Sequence, residues 1–172
     1  MYRFLTFLMI MLFLISCNDQ KKEHPPTKSE TINYLSNNLS NGSKVTGYSY
    51  MERSVSFRVN GERVEYRTEF IHPEDNVHWE LTQKFSLGDI SYVSEDNTNS
   101  IKGITLNLKN KSNHRTRKSL NGNPVHSDIP TDEMIGSVFV TIEPSKFEGT
   151  KKAFENLLKV EREQNAADYF EN

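Results

Sequence analysis

A two-residue turn between two alternating segments constrains the fold of this chain more than any other feature. The turn is Asn60-Gly61. Apolar or β-branched residues occupy every second position on both sides of it: Val55, Phe57 and Val59 before it, then Val64, Tyr66, Thr68 and Phe70 after it. Asn-Gly between such segments is the strongest short-range signal for a β-hairpin. The sequence therefore predicts two antiparallel strands that share one apolar face.

Further alternating segments predict that this hairpin belongs to a larger sheet. A turn at 72–76 leads to a third strand at 79–87, and shorter strands are predicted at 90–93, 104–108 and 138–142. Residues 94–100 form a polar loop. Residues 109–136 show no apolar periodicity, so we predict a long loop there, of the kind that often carries function.

Two segments with apolar residues at helical spacing flank the strands. Ile32, Leu35 and Leu39 predict a short helix that ends near residue 39 and is capped by Ser29 or Thr31. Phe147 and Phe154 lie on the apolar face of a predicted amphipathic helix over 145–164. We predict a frayed tail at 165–172. We therefore predict one α+β domain at 30–164: an antiparallel sheet curled into a small barrel, with the final helix packed on it.

The N-terminal residues 1–16 are typical of a signal peptide. Arg3 precedes an apolar run at 4–15, which is too short to span a bilayer. The run ends in Leu14-Ile15-Ser16-Cys17, which resembles the lipobox of bacterial lipoproteins. That resemblance implies cleavage before Cys17, a diacylglyceryl group and palmitate on this cysteine, and export to a membrane of the cell envelope. A plain signal peptide and an N-terminal membrane helix are the alternatives.

The residues after Cys17 refine this interpretation. Asn18, where inner-membrane lipoproteins can carry Asp, favours the outer membrane in a cell that has two membranes. Residues 17–29 are predicted to form a lipidated tether, which Pro25-Pro26 makes extended. Cys17 is the only cysteine, so the sequence excludes an intramolecular disulfide and a thiolate metal cluster.

A second resemblance concerns the domain. The stretch Phe85-Ser86-Leu87-Gly88-Asp89-Ile90, the strand at 138–142 and the helix at 147–158 (FEGTKKAFENLL) resemble small bacterial proteins with a pleckstrin-homology-like barrel. The resemblance covers most of residues 30–164 and implies that fold without a defined activity. The insert at 109–136 departs from the compact pattern of that group. A lipocalin-like or other small barrel remains the alternative.

The sequence offers candidate contact residues but no catalytic motif. His72 and His78 match no tight metal signature, and we predict no metal and no cofactor. Tyr48 and Tyr50 are candidates for a contact surface. A second candidate is the basic run of Lys109, Lys111, His114, Arg115, Arg117 and Lys118. It is either a surface that contacts anionic headgroups or an acidic partner, or a solvated loop that pairs with Asp128, Asp132 and Glu133.

Three functions remain open at this stage. The first is a non-enzymatic, membrane-tethered module that binds an envelope protein. The second is a cell-envelope hydrolase, or an inhibitor or immunity protein, which requires polar groups converging in a cleft near 109–136. The third is a lipid or small-ligand carrier, which requires a hollow barrel and is incompatible with a core filled by Phe57, Trp79, Phe85 and Phe139. A net charge of -2 argues against a nucleic-acid partner.

Overall fold

The computed structural model describes residues 24–42, 44–46, 51–72, 74, 76–96, 101–123 and 130–170, with side chains through residue 164. Helix α1 spans Lys28–Leu39 and helix α2 spans Phe147–Phe170. The strands of the described residues are β1 Val45–Thr46, β2 Met51–Asn60, β3 Arg63–His72, β4 Val77–Ser86, β5 Ile90–Asp96, β6 Gly103–Leu108, β7 Asn113–Ser119, β8 Asp132–Ile135 and β9 Ser137–Thr141.

The larger of two sheets has six strands in the order β1-β2-β3-β4-β7-β8, and every neighbouring pair is antiparallel. The predicted hairpin is confirmed, but its two turn residues are Gly61 and Glu62 instead of Asn60 and Gly61, because Asn60 still pairs with Arg63. Gly61 has a φ of 61°, in the left-handed region where glycine is favoured. The turn chemistry therefore sets the register of this hairpin.

The smaller sheet has three antiparallel strands in the order β5-β6-β9. The chain passes from the larger to the smaller sheet twice, through a 3₁₀ turn at Leu87–Asp89 and through Gly136. The predicted class, α+β with mostly antiparallel strands, is confirmed. The described strands form two sheets rather than one closed barrel, so the predicted closure is not found, whether pleckstrin-homology-like or lipocalin-like.

One continuous apolar core joins the two sheets to the helices. Phe57 is fully buried and meets the ring of Phe154 edge-on, with 5.7 Å between centroids, and the ring of Tyr66 at 6.0 Å. Leu35 and Leu39 enter this core from α1, and Val138 and Val140 enter it from β9. Burying each such side chain contributes about 1.5–3 kcal/mol, so these contacts hold the helices on the sheets.

The helices differ from the predicted ones at their ends. Thr27 caps α1 in a capping box with Glu30, so the predicted caps Ser29 and Thr31 are wrong. Asn156 of α2 donates hydrogen bonds to Thr31 (2.8 Å) and to the carbonyl of Pro26 (3.0 Å). Helix α2 continues through Phe170, beyond the predicted end at 164. None of the described helices is both long and apolar enough to span a bilayer.

The predicted loop at 109–136 is wrong for two parts of that segment. Strand β7 pairs with β4 on one side and with β8 on the other. The alternating residues of β7 are basic and polar on both faces, so no apolar periodicity marks the strand. A similar correction applies to the predicted loop at 94–100, because β5 continues through Asp96.

Candidate ligand-binding cleft

A cleft with a volume of about 260 Å³ lies between the larger sheet and strand β9. Strands β2, β3, β4, β7, β8 and β9 all contribute to it, and it is lined by Glu52, Phe70, Trp79, Leu81, Gln83, Arg115, Arg117, Ile135, Ser137 and Phe139. A larger hollow of about 630 Å³ lies beside the hairpin turn, but exposed side chains such as Arg58, Arg63 and Lys84 line much of it. The cleft is therefore the stronger candidate, because it brings together buried polar and aromatic groups.

A β-bulge aims Glu52 at the interior. The register of β2 against β3 shifts between Ser54 and Ser56, which leaves Val55 as an extra residue. Such a bulge reverses the alternation of side chains across a strand. Phe57 and Val59 therefore face the core as predicted, but upstream of the bulge Glu52 and Ser54 face inward. Glu52 lies opposite Phe70, which in turn lies opposite Trp79.

Glu52 is a buried carboxyl at the cleft, with 8% of its surface exposed. Burial raises its pKa to about 7, and the neighbouring hydroxyls of Thr141 and Thr68 oppose that rise only in part. No basic side chain among the described residues forms an ion pair with it. A group that titrates near neutral pH beside a cleft is a candidate functional group.

The hydroxyls near Glu52 connect the two sheets. Ser54 and Tyr66 share a hydrogen bond of 2.6 Å, and Ser54 donates a second one of 3.0 Å to the carbonyl of Thr141. Burial raises the pKa of Tyr66, and the charge of Glu52 adds to that effect. Tyr66 thus stays neutral and acts as a hydrogen-bonding group of the core.

Two arginines and one glutamate form an ion-pair cluster at the β7–β8 side of the cleft. Glu133 accepts hydrogen bonds from Arg115 Nε at 2.8 Å and from Arg117 Nη1 at 2.7 Å. Burial would raise the pKa of Glu133, but the bonds from both arginines outweigh it and lower that pKa. Among the described residues, two guanidinium groups against one carboxylate leave this side of the cleft with a net positive charge.

Aromatic side chains form the walls between Glu52 and the arginines. The rings of Phe70 and Trp79 stack with 5.5 Å between centroids and 20° between planes. The indole Nε1 of Trp79 is buried and has no hydrogen-bond partner in the described residues. Phe139 lines the cleft from β9, a strand of the smaller sheet. Flat aromatic surfaces beside charged groups favour ligands that carry a cation.

The structure divides the predicted basic run instead of presenting it as one surface. Arg115 and Arg117 line the cleft, whereas His114 and Lys118 lie on the opposite face of β7. His114 pairs with Asp132 at 2.7 Å, and Glu133 pairs with both arginines, so these two acidic residues lie where they were predicted to pair. Lys109 and Lys111 are exposed in a 3₁₀ turn before β7.

The remaining predicted sites lie elsewhere. Cys17, Tyr48, Tyr50, Asp75 and Asp128 are outside the described residues. His78 lies 3.7 Å from Glu69, and no three metal-ligating side chains come together in the part of the chain that the structure describes. Tyr92 is exposed on β5, while Tyr66 belongs to the core.

Sequence reasoning missed Glu52, because the parity of Val55, Phe57 and Val59 places that carboxyl on the outer face. A signal was nevertheless present: Ser54 and Ser56 are weak strand formers that flank the bulged residue. Comparison with family models, curated proteins and solved structures finds no match to this chain. The function is therefore inferred from the cleft itself.

Proposed function

We propose that this chain is a bacterial lipoprotein, anchored through Cys17, whose domain is a non-enzymatic binding module. The lipobox-like Leu14-Ile15-Ser16-Cys17 supports the anchor, since two or more acyl chains hold a protein stably on a membrane. In a cell that has two membranes, we propose that the chain is anchored in the outer one. An envelope protein remains the proposed partner, and nucleic acid is not one.

The cleft is the observation that supports binding. It combines a buried carboxyl, a positively charged rim and aromatic walls in a space open to solvent. Apolar walls with a few fixed polar groups are the usual composition of ligand sites. The cleft is too small for a folded protein, so it would hold a small molecule or one end of a partner chain.

We also propose that the fold of the domain is related to the pleckstrin-homology-like fold. Support comes from the turn at Leu87–Asp89 between the sheets and from α2, whose Phe154 packs on Phe57. The extra hairpin of β7 and β8 departs from the compact pattern of that group.

A hydrolase is the second candidate, favoured by the pKa of Glu52 near 7, which suits a general acid or base. Canonical glycoside hydrolysis uses a pair of carboxyl groups that flank the scissile bond. Glu52 is the only carboxyl among the described residues that line the cleft. The geometry therefore supports binding better than hydrolysis. An inhibitor or immunity protein would be a special case of the binding module.

A lipid carrier is the least supported of these alternatives. Phe57 and Phe85 fill the apolar core, while Trp79 and Phe139 line the cleft. Phe57 and Phe85 occupy the interior that a hollow barrel would offer to an acyl chain, which counts against a carrier. A small polar ligand in the cleft remains compatible with the binding module.

Two experiments test the proposal separately. For the anchor, cells that express the full chain are labelled with an alkyne analogue of palmitate. Labelling of the native chain and its loss in Cys17→Ser support the lipoprotein, and labelling that survives in Cys17→Ser contradicts it.

For binding, Phe139 is replaced by photoreactive p-benzoylphenylalanine, and Tyr92 serves as an exposed control position. Crosslinks that form in intact cells from position 139 and not from 92 support a binding cleft. Identical products from both positions would indicate nonspecific contact and count against it.

A further inference from the structure

The charges around the cleft are separated into two opposite ends. Glu52 belongs to β2, and the two arginines belong to β7, with β3 and β4 between them. Three strand spacings of about 4.8 Å place the two backbones roughly 14 Å apart. The glutamate and the arginines therefore line opposite walls of the same cleft.

The acidic end has no counter-charge in the part of the chain that the structure describes. Glu52 has no basic partner among the described residues, although it is buried to more than nine-tenths. A buried carboxylate is stabilised when a cation comes within hydrogen-bonding distance. Trp79, Phe70 and Phe139 lie along the same cleft, and aromatic rings also attract cations.

The basic end carries an excess of positive charge. Arg115 and Arg117 share one carboxylate, that of Glu133, which is not among the residues that line the cleft. Guanidinium groups are well suited to bind a ligand carboxylate through paired hydrogen bonds. A ligand with only a cation would be repelled at this end, and one with only an anion would be repelled at Glu52.

We propose that the cleft binds a small zwitterion of the amino-acid or short-peptide class, with its ammonium group at Glu52 and its carboxylate at Arg115 and Arg117. This inference deepens the proposed function and depends on the cleft being a binding site. The volume of about 260 Å³ lies below that of pockets for drug-sized ligands, which restricts the ligand to roughly one or two residues.

The native chain provides its own reporter. Trp79 is the only tryptophan in the sequence and lines the cleft, so indole fluorescence reports on this site. Full-length chain in detergent is titrated with the dipeptide Ala-Ala. Saturable change in Trp79 emission is expected. N-acetyl-Ala-Ala lacks the ammonium and Ala-Ala-amide lacks the carboxylate, and each is expected to bind about tenfold more weakly.

Two pairs of variants test the residues. Glu52→Gln and Arg117→Gln are expected to weaken Ala-Ala binding about tenfold. The matched controls Glu80→Gln and Arg67→Gln remove an ion pair on the outer face of the same sheet and are expected to bind normally. Glu52→Gln is expected to bind Ala-Ala and N-acetyl-Ala-Ala equally well. Arg117→Gln is expected to bind Ala-Ala and Ala-Ala-amide equally well.

The two blocked dipeptides keep the test decisive even if a variant does not fold. Equal binding of all three dipeptides, or binding of N-acetylglucosamine in preference to them, overturns the zwitterion while leaving the binding module intact. Absence of any Trp79 response also overturns the zwitterion. Crosslinking from position 139 then decides independently whether the cleft binds anything in the cell.

Discussion

The hydroxyls of Ser54 and Tyr66 lie 2.6 Å apart in the interior, where both residues are buried. A hydroxyl has one proton, and Ser54 donates its proton to the carbonyl of Thr141, so Tyr66 is the donor in the first bond. This chain of two bonds connects β2, β3 and β9, and thereby the two sheets. It also lies directly beside Glu52, which couples the integrity of the cleft to the packing between sheets.

Removing the two hydroxyls separately is expected to have unequal effects. Tyr66→Phe deletes one hydrogen bond and leaves Ser54 bonded to Thr141, which should cost about 1 kcal/mol. Ser54→Ala leaves both the Tyr66 hydroxyl and the Thr141 carbonyl without this partner, which should cost about 2–3 kcal/mol. Urea unfolding followed by circular dichroism measures both. Equal destabilisation would contradict the donor assignment.

The buried carboxyl of Glu52 is expected to make stability fall as pH rises. Its pKa is about 7 in the folded protein against 4.5 as the ordinary value. Between these values the folded chain holds a proton that the unfolded chain has lost, so the free energy of unfolding decreases with pH. The full loss, up to about 3 kcal/mol, is present above pH 7.

Glu52→Gln removes this pH dependence. Its free energy of unfolding, relative to the native chain, is expected to be higher at pH 8 than at pH 5. Glu80→Gln, on the outer face, makes the same change of net charge. Its free energy of unfolding relative to the native chain should not rise between pH 5 and pH 8. Identical pH profiles for the native chain and Glu52→Gln would show that the carboxyl is solvated in solution.

The close packing of Gly103 against β9 predicts a strong effect of a single methyl group. A Cβ at this position would lie 2.6 Å from the carbonyl oxygen of Val140 and 2.6 Å from the ring of Phe139. The carbonyl belongs to a paired strand and cannot move away. Gly103→Ala is therefore expected to destabilise the domain by about 2–4 kcal/mol and to alter the fluorescence of Trp79.

Gly149→Ala is the contrasting substitution. Its Cβ would also clash, at 2.2 Å, but only with the hydroxyl of Tyr34, the mobile end of an exposed side chain. Tyr34 can rotate away, and alanine favours the helix by about 1 kcal/mol. We expect a change in stability within about 1 kcal/mol. Thermal unfolding of both variants tests whether backbone clashes, rather than distances alone, determine the cost.

The sequence predicted those features that follow from local rules. The Asn-Gly signal located the hairpin, although the turn forms one residue later at Gly61-Glu62, and helical spacing placed Phe154 on the buried face of α2. The bulge at Val55 was not predicted, because the two serines that flank it are only a weak signal and its position depends on which residues of β3 lie opposite. Strand β7 was missed for a related reason: its inward-facing Arg115 and Arg117 line the polar cleft instead of the apolar core, so no apolar residue marks that face. The candidate site combines both of these exceptions, so sequence patterns alone did not reveal it.

Lys28 joins three segments and provides the last prediction. Its Nζ lies 2.6 Å from Glu62 in the hairpin turn and 2.5 Å from Glu161 in α2. Burial would lower the pKa of Lys28, but the bonds to Glu161 and Glu62 outweigh it and raise that pKa. Lys28→Gln leaves the buried Glu161 without its cation, so we expect a loss of about 1–3 kcal/mol in urea unfolding.

The matched control for Lys28 is Lys159, which pairs with Glu163 at 3.9 Å where both side chains are about two-thirds exposed. Exposed pairs of this kind contribute little, so Lys159→Gln is expected to change stability by less than about 0.5 kcal/mol. Adding Glu161→Gln to Lys28→Gln should recover part of the loss, because the uncompensated charge disappears with it. If both single lysine variants are equally stable, α1 is held on α2 by its apolar contacts and by the hydrogen bond from Asn156 to Thr31, and the ion pairs of Lys28 contribute nothing to that attachment.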